Sequence, residues 1–183
     1  MSSPLLNRLL PRAEFASYEE FAAHYRVAVP PHFNFGFDVV DALAAEDPDR
    51  RALVWCNDAG AAATFTMADM ARRSAQAAAW FQSLGIRKGD RVMLILKRRA
   101  AYWFAVLGLH KLGAVAIPAT HMLTRKDLVY RIRAAGVKMI VAVDEPDLRA
   151  AIDAAAADIR LPLRALTGSG ATAGWLDFDA GLD

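Results

Sequence analysis

Residues 66–96 read TMADMARRSAQAAAWFQSLGIRKGDRVMLIL, and this stretch joins a helix signal to a strand signal. Thr66 and Asp69 have the spacing of a capping box, and Gly85 supplies a C-terminal stop, so the first part is predicted to be one helix. The five consecutive apolar residues at 92–96 show no polar alternation, which favours a parallel strand buried on both faces. A helix that leads directly into a doubly buried strand is typical of an α/β protein.

The same alternation of strand and helix continues toward the C-terminus. The first predicted elements in chain order are a helix over 100–112 that ends at Gly113, a short buried strand over 115–117, and a helix that ends at Gly136. Thr124 and Asp127 repeat the capping-box spacing at the start of that helix. A buried strand over 139–143, a helix that Asp144 caps and that runs to about 158, and a strand over 163–166 follow. Connections of a few residues leave the helices as the crossovers, so the sheet is predicted to be mainly parallel and covered by helices.

The pattern is less regular on the N-terminal side. Residues 1–36 are predicted to be an arm of aromatic and polar residues with a short helix over 14–25, and 37–166 to be the α/β unit. Within that unit, Asp38 is expected to cap a helix to about 45, and two short strands are expected to form a β-hairpin. The strands span 52–56 and 63–65, and the turn spans 57–60. Residues 167–183 are predicted to be a flexible loop followed by the start of a further segment.

Composition excludes several classes of protein. The 183 residues carry 22 basic and 20 acidic side chains, and a net charge of +2 does not indicate a nucleic-acid-binding surface. The longest apolar run, 100–109, is about half of the roughly 20 residues that a membrane helix needs, so no membrane span is expected. The single cysteine, Cys56, excludes an internal disulfide and any multi-cysteine metal site.

The N-terminus lacks the uninterrupted apolar stretch of a secretory signal. Its serines and arginines leave a transit peptide as an alternative, but Glu14, Glu19 and Glu20 follow closely and disfavour it. We therefore expect a cytoplasmic chain.

Few residues are candidates for chemistry on spacing alone. The four histidines have no metal-ligand spacing, and Cys56 in the strand VWCN is predicted to be buried packing. The segment 168–172 lacks the Lys-Ser/Thr pair of a phosphate loop and is interpreted as linker.

Two segments follow predicted strand ends, where open α/β sheets bind ligands. The cationic run 97–99 (KRR) has two open interpretations: it faces a phosphate or carboxylate, or it is a solvated rim with salt bridges to nearby acids. The turn 118–122 (PATHM) is the best position in the chain to contact a small molecule.

Several motifs resemble those of the acyl-adenylate-forming (AMP-dependent synthetase/ligase) superfamily. The turn 85–92 (GIRKGDRV) resembles its Gly-x-x-x-Gly-Asp-x-Val turn, and 110–118 (HKLGAVAIP) resembles its K-x-G-A-x-x-x-P motif. Further segments are similar to the medium-chain acyl-CoA synthetase branch; they are 33–38, 130–132, 139–142 and 174–178. The resemblance extends over about residues 30–180. One departure is Lys97, since that branch often has proline after the strand.

The resemblance implies that the chain is an incomplete N-terminal portion of a larger adenylating domain, in an AMP-forming acyl-CoA synthetase. Such an enzyme converts a carboxylic (fatty or aromatic) acid, ATP and CoA into acyl-CoA, AMP and pyrophosphate, with Mg²⁺, through an acyl-adenylate. The resemblance implies a wall of the CoA channel at Thr120, His121 and Met122.

The motifs that contact ATP and Mg²⁺ in this family are absent from the 183 residues. The resemblance therefore assigns no catalytic residue and no metal ligand, and this chain alone is expected to be inactive and to bind no cofactor tightly. Self-association through an incomplete sheet is expected. The alternative is a stand-alone, non-catalytic α/β domain for interaction or nucleotide sensing.

Overall fold

The computed structural model describes residues 4–161, 163–168, 170 and 172–183. Its elements, in chain order, are α1 (Pro4–Leu9), α2 (Tyr18–His24), a π-helical segment (Gly36–Asp41), α3 (Ala42–Glu46), β1 (Arg51–Cys56), β2 (Ala62–Thr66), α4 (Met67–Ser83), β3 (Arg91–Ile95), α5 (Ala101–Leu112), β4 (Val115–Pro118), α6 (Arg125–Ala135), β5 (Val137–Val143), α7 (Pro146–Asp158), β6 (Leu163–Thr167), β7 (Leu176–Asp177) and a 3-10 turn (Ala180–Leu182). In the predicted loop, Ser169 and Ala171 lie outside the described residues.

Two sheets organise the fold. Strands β3 to β7 form a parallel sheet in the order β4-β3-β5-β6-β7, while β1 and β2 pair antiparallel as a separate hairpin. In the parallel sheet Leu94 of β3 stands beside Pro118 of β4 and Val141 of β5. The predicted α/β fold class, with its mainly parallel sheet and its hairpin, is confirmed.

The interior strand β3, which lies between β4 and β5, is buried on both faces, as its uninterrupted apolar run predicts. Val92 and Leu94 pack with α4 and α5 on one side, whereas Met93 and Ile95 pack with α6 and α7 on the other. Successive strand side chains point to opposite faces, so a strand between two helical layers must be apolar at every position.

Local signals set most helix ends correctly. Both predicted capping boxes form: the hydroxyls of Thr66 and Thr124 each accept a hydrogen bond from an aspartate backbone N–H, and each threonine backbone N–H donates one to the carboxylate of the same aspartate. The hydroxyl of Thr124, together with its backbone N–H, holds the pKa of the Asp127 carboxyl below its ordinary value. At the other ends, Gly113 and Gly136 adopt the left-handed conformation that closes α5 and α6.

Three local predictions are wrong. Asp38 caps no helix: it lies inside the π-helical segment, where its carboxylate accepts a 2.7 Å hydrogen bond from the Asn34 N–H. Asp144 does not cap α7, because Pro146 takes the first helical position and leaves Glu145 as the extended preceding residue. Strand β4 is not the predicted buried strand, because all four of its residues are exposed or half-buried and Val115 is 46% exposed; β4 also stands at the edge of the sheet.

The segment 33–38 is tied to α5 by hydrogen bonds. Asn34 accepts from the Gly36 N–H at 2.9 Å and donates through Nδ2 to the His110 carbonyl at 2.7 Å. Beside it, the Lys111 ammonium is buried and donates to Asp41 at 2.8 Å. Lys111 belongs to the K-x-G-A motif, and here its side chain joins α5 to the end of the π-helical segment.

Residues 175–182 pack onto the body of the fold. Phe178 is fully buried and Leu182 is 3% exposed, both in the core that α4 and α5 form with the sheet. Strand β7 pairs with β6. The division into 1–36, 37–166 and 167–183 stays a prediction.

Candidate functional site

A cavity of about 740 Å³ lies where the hairpin meets the carboxyl ends of β3 and β4. This is the edge of a parallel sheet at which ligands bind in open α/β folds. Its volume is within the range of small-molecule sites. The lining residues come from the hairpin, the segment after β3, the segment after β4 and the start of α7; they are Trp55, Cys56, Asn57, Asp58, Ala59, Lys97, Arg98, Arg99, Ala119, Thr120, His121 and Glu145.

The hairpin wall is held in place by hydrogen bonds. The Trp55 indole Nε1 donates to the Arg98 carbonyl at 2.6 Å, which joins β1 to the segment that follows β3. At the hairpin turn, the Asn57 side-chain oxygen accepts from the N–H groups of Ala59 and Ala61, at 3.1 and 2.9 Å. One end of this wall is therefore fixed by a contact with the segment after β3, and the turn is fixed by hydrogen bonds within the hairpin itself.

The segment after β3 takes an unusual path. Lys97 has φ +49°, which is the left-handed region that side chains rarely adopt, and no other non-glycine residue in the described ranges has a positive φ. Proline has φ near −65°, so it cannot adopt this conformation. The proline that the medium-chain branch often has after the strand therefore cannot occupy position 97 with this backbone conformation.

Lys97 also has an acidic partner across the sheet. Its Nζ lies 2.6 Å from the Glu145 Oε1, and each side chain is about one third exposed. The pair joins the residues that follow two neighbouring strands, β3 and β5. For Lys97, this contact supports the salt-bridge interpretation of the KRR run.

Arg98 and Arg99 differ from Lys97. Both are exposed, and neither guanidinium has a hydrogen bond or ion pair with any residue that the structure describes. The acids of the cavity are Asp58, which has no such partner either, and Glu145, which Lys97 neutralises. The cavity therefore presents two unpaired guanidinium groups against one unpaired carboxylate.

Two of the three predicted channel residues line the cavity, and the third does not. Thr120 and His121 line the cavity, whereas Met122 is 74% exposed and lies outside its lining. The Thr120 hydroxyl accepts a 3.3 Å hydrogen bond from the Met122 N–H, which forms a tight turn after β4. A role for these three residues in a CoA channel stays a prediction.

The prediction for Cys56 is wrong, because its side chain is exposed and lines the cavity. Cys56 lies on the same face of β1 as Val54, which is 58% exposed, so this face of the strand is open to solvent. The contributions of Trp55, Asn57 and Asp58 to the cavity were also not predicted. No local pattern places a hairpin against a sheet edge that lies some forty residues further along the chain.

Two further observations concern the described part of the chain. It holds no group of three or more His, Cys, Asp or Glu side chains arranged to bind a metal ion. None of its helices has the length and apolar character needed to cross a membrane.

Comparison with known protein families identifies the class. The family described as AMP-binding enzyme matches residues 40–178, which is most of the chain. The chain therefore belongs to the AMP-binding enzyme family. The resemblance to acyl-adenylate-forming enzymes, and among them to medium-chain acyl-CoA synthetases, is confirmed.

Curated relatives are acyl-coenzyme A synthetases. The mitochondrial acyl-coenzyme A synthetase ACSM5 of Rattus norvegicus is 34% identical over 157 residues, which are 82% of this chain and 27% of that protein. The mitochondrial synthetase ACSM3 of Homo sapiens is 31% identical over 156 residues, 82% of this chain and 26% of that protein. The chain thus spans about 27% of the length of such relatives. The expectation of a cytoplasmic location is contradicted, since these relatives are named as mitochondrial.

Solved structures agree on the fold. The anthranilate CoA ligase AuaEII, determined with anthranoyl-AMP, is 21% identical and superposes with a TM-score of 0.70 over 84% of this chain and 28% of that chain. An acyl-CoA synthetase from Brucella canis is 24% identical, with a TM-score of 0.70 over 82% of this chain and 27% of that chain. At these identities the likeness establishes the fold alone.

Proposed function

We propose that this chain is the N-terminal portion of an AMP-forming acyl-CoA synthetase that acts on a fatty or aromatic carboxylic acid. The observation that carries the proposal is the match of residues 40–178 to AMP-binding enzymes, together with relatives that are acyl-coenzyme A synthetases. In the proposed reaction the carboxylate attacks the α-phosphorus of ATP and releases pyrophosphate. The CoA thiol then attacks the acyl carbon of the adenylate and releases AMP.

In this proposal the chain contributes mainly the scaffold of the enzyme, and it contacts one substrate, CoA, directly. The turn after β4 carries Thr120 and His121 into the cavity, and Met122 stands exposed beside it. We assign these residues to one wall of the channel for the pantetheine arm of CoA. The Met122 thioether adapts its shape to a neighbour and is only a weak acceptor, so it suits a flexible, mostly apolar arm.

ATP and Mg²⁺ belong to the proposed reaction, and the described residues hold no group of three or more His, Cys, Asp or Glu side chains arranged to bind the metal ion. The motifs that contact both in this family are absent from the sequence. We therefore expect the 183-residue chain to show no acid-dependent exchange of pyrophosphate into ATP. Turnover above a control without enzyme, in material free of contaminating synthetase, would contradict this expectation.

The coding sequence tests the proposal at low cost. We expect it to continue in frame beyond the codon for Asp183 into a Gly-Thr-Thr-Gly-like phosphate loop. The full product should then form CoA thioesters in a reaction that requires both acid and ATP. A stop codon directly after Asp183 would overturn the proposal and favour the stand-alone, non-catalytic domain.

A further inference from the structure

The cavity beside the hairpin holds an excess of unpaired positive charge. Arg98 and Arg99 line it without a side-chain partner among the described residues, while Glu145 is engaged by Lys97 at 2.6 Å. A guanidinium offers a planar fork of donors that matches phosphate oxygens in pairs. The two guanidinium groups together have more N–H donors than one carboxylate can accept. They therefore favour a ligand that carries several anionic oxygens.

The architecture adds to this charge. Helices α5 and α7 begin at the edge of the sheet that carries the cavity, immediately after the lining residues Arg99 and Glu145. The N-terminal end of a helix carries a partial positive charge, so both helices favour an anion there. The opposing groups are Asp58 on the hairpin and the paired Glu145.

The walls suit a ligand that is larger than an isolated phosphate. The cavity volume of about 740 Å³ is that of a small-molecule site. Trp55 lines it with its ring held in position, because its only N–H is bonded to the Arg98 carbonyl. A fixed indole offers a flat apolar surface next to the two guanidinium groups.

We propose that this cavity binds a diphosphate group, with Arg98 and Arg99 as the contacting cations. This assignment rests on the proposed function, because it names a class of ligand for the cavity that carries the proposed CoA wall. Its test measures binding and requires no catalysis. A diphosphate can be inorganic pyrophosphate or part of a nucleotide such as ADP or CoA. These sources share the chemistry that the arginines recognise.

The test is calorimetric titration of the 183-residue chain with pyrophosphate, ADP and CoA, and with adenosine as the ligand without phosphate. We expect binding of the three phosphate-bearing ligands, weakened by added salt, and none of adenosine. If ADP or CoA binds more tightly than pyrophosphate, the ligand of the cavity is a nucleotide. If the three affinities are equal, the cavity recognises the diphosphate group alone. Absence of binding of all three overturns the proposal.

Charge variants separate a specific site from a general attraction. The double variant Arg98→Gln, Arg99→Gln should weaken pyrophosphate binding about tenfold or more. The matched control Lys126→Gln, Arg131→Gln removes the same charge from exposed positions on α6, outside the cavity lining, and should leave binding unchanged. Equal losses in the two double variants would overturn the proposal.

Removing the acids should act in the opposite direction. Glu145→Gln frees the Lys97 ammonium, and Asp58→Asn removes the unpaired carboxylate, so each should tighten pyrophosphate binding. Unchanged or weaker binding in both would contradict the proposal. Circular dichroism checks that each variant is folded. These outcomes do not depend on whether the chain forms part of a synthetase, so either proposal can fail without the other.

Discussion

The Trp55 indole N–H donates a 2.6 Å hydrogen bond to the carbonyl oxygen of Arg98, forty-three positions further along the chain. This contact joins a two-stranded hairpin to the segment that follows strand β3 of the main sheet. The two elements belong to different sheets, so the cavity between them exists only because they are held together.

Trp55→Phe should loosen the hairpin, because phenylalanine keeps an aromatic ring but lacks the donor. We expect a loss of about 1 kcal/mol in the free energy of unfolding and faster proteolytic cleavage at the turn 57–60. Chemical denaturation and limited proteolysis measure the two effects. The control is Trp103→Phe, at a half-exposed tryptophan of α5 outside the cavity lining, which should cleave like the wild type. Equal cleavage in both variants would count against the anchoring role.

Met122→Glu tests the channel wall in the complete synthetase proposed above. A carboxylate in the path of the CoA arm should raise the KM for CoA, while adenylation, followed by pyrophosphate exchange, stays near wild type. Tyr130→Glu is the matched control, since Tyr130 is 72% exposed and Met122 is 74% exposed. A parallel fall of both half-reactions in Met122→Glu would show that the residue supports the fold instead of the channel.

Variants at Lys97 measure how much the left-handed backbone conformation at this residue lowers the free energy of unfolding. Both Lys97→Gly and Lys97→Ala remove the ion pair with Glu145, so their difference isolates the backbone. The glycine variant should be more stable by about 1 kcal/mol, because only glycine adopts φ +49° freely. Lys97→Pro should be less stable than either. Denaturant unfolding compares the three, and equal stability of the glycine and alanine variants would refute the assigned conformation.

Asp90 should make stability depend on pH in the acid range. The Lys138 ammonium donates to its carboxylate at 2.7 Å, and together with the Arg87 N–H this lowers the pKa of Asp90 below its ordinary value of 3.8. Because the folded pKa is the lower one, the stabilisation is present above pH 3.8 and is lost as the pH falls through the folded value.

Asp90→Asn should therefore unfold more easily at neutral pH and show a flatter loss of stability below pH 3.8 than the wild type. Denaturant midpoints at a series of pH values measure both effects. Asp49→Asn is the control, since Asp49 is exposed and its carboxylate makes no ion pair with a described residue. Parallel pH curves for wild type and Asp90→Asn would contradict the assignment.

Strand β4 should promote self-association. It stands first in the strand order, and Val115 on it is 46% exposed, so it presents an apolar edge for pairing. Val115→Lys should reduce the concentration-dependent light scattering of the chain, whereas Val29→Lys, at an exposed valine of the N-terminal arm, should not. A chain that remains monomeric at all concentrations would exclude this form of association.

The sequence by itself determined the regular part of the fold. The capping residues Thr66 and Thr124 and the stops Gly113 and Gly136 act within one turn of helix, and their effect can be recognised in a short window. The uninterrupted apolar run of β3 likewise reports burial on both faces. The family motifs also identified the class of enzyme from the sequence. These motifs lie at the turns and strands of the regular part of the fold, so their order and spacing can be recognised along the chain.

Only the tertiary structure decided which residues share the cavity. The hairpin could be predicted, but its docking rests on the contact between Trp55 and Arg98, which no local pattern encodes. The same docking leaves Cys56 exposed at the cavity, although its apolar neighbours predicted burial. The KRR run shows the point most clearly: Lys97 is paired with Glu145, which follows the neighbouring strand β5, while Arg98 and Arg99 have no such partner among the described residues. Charge pairing depends on distance in space, and the order of residues along the chain does not contain that distance.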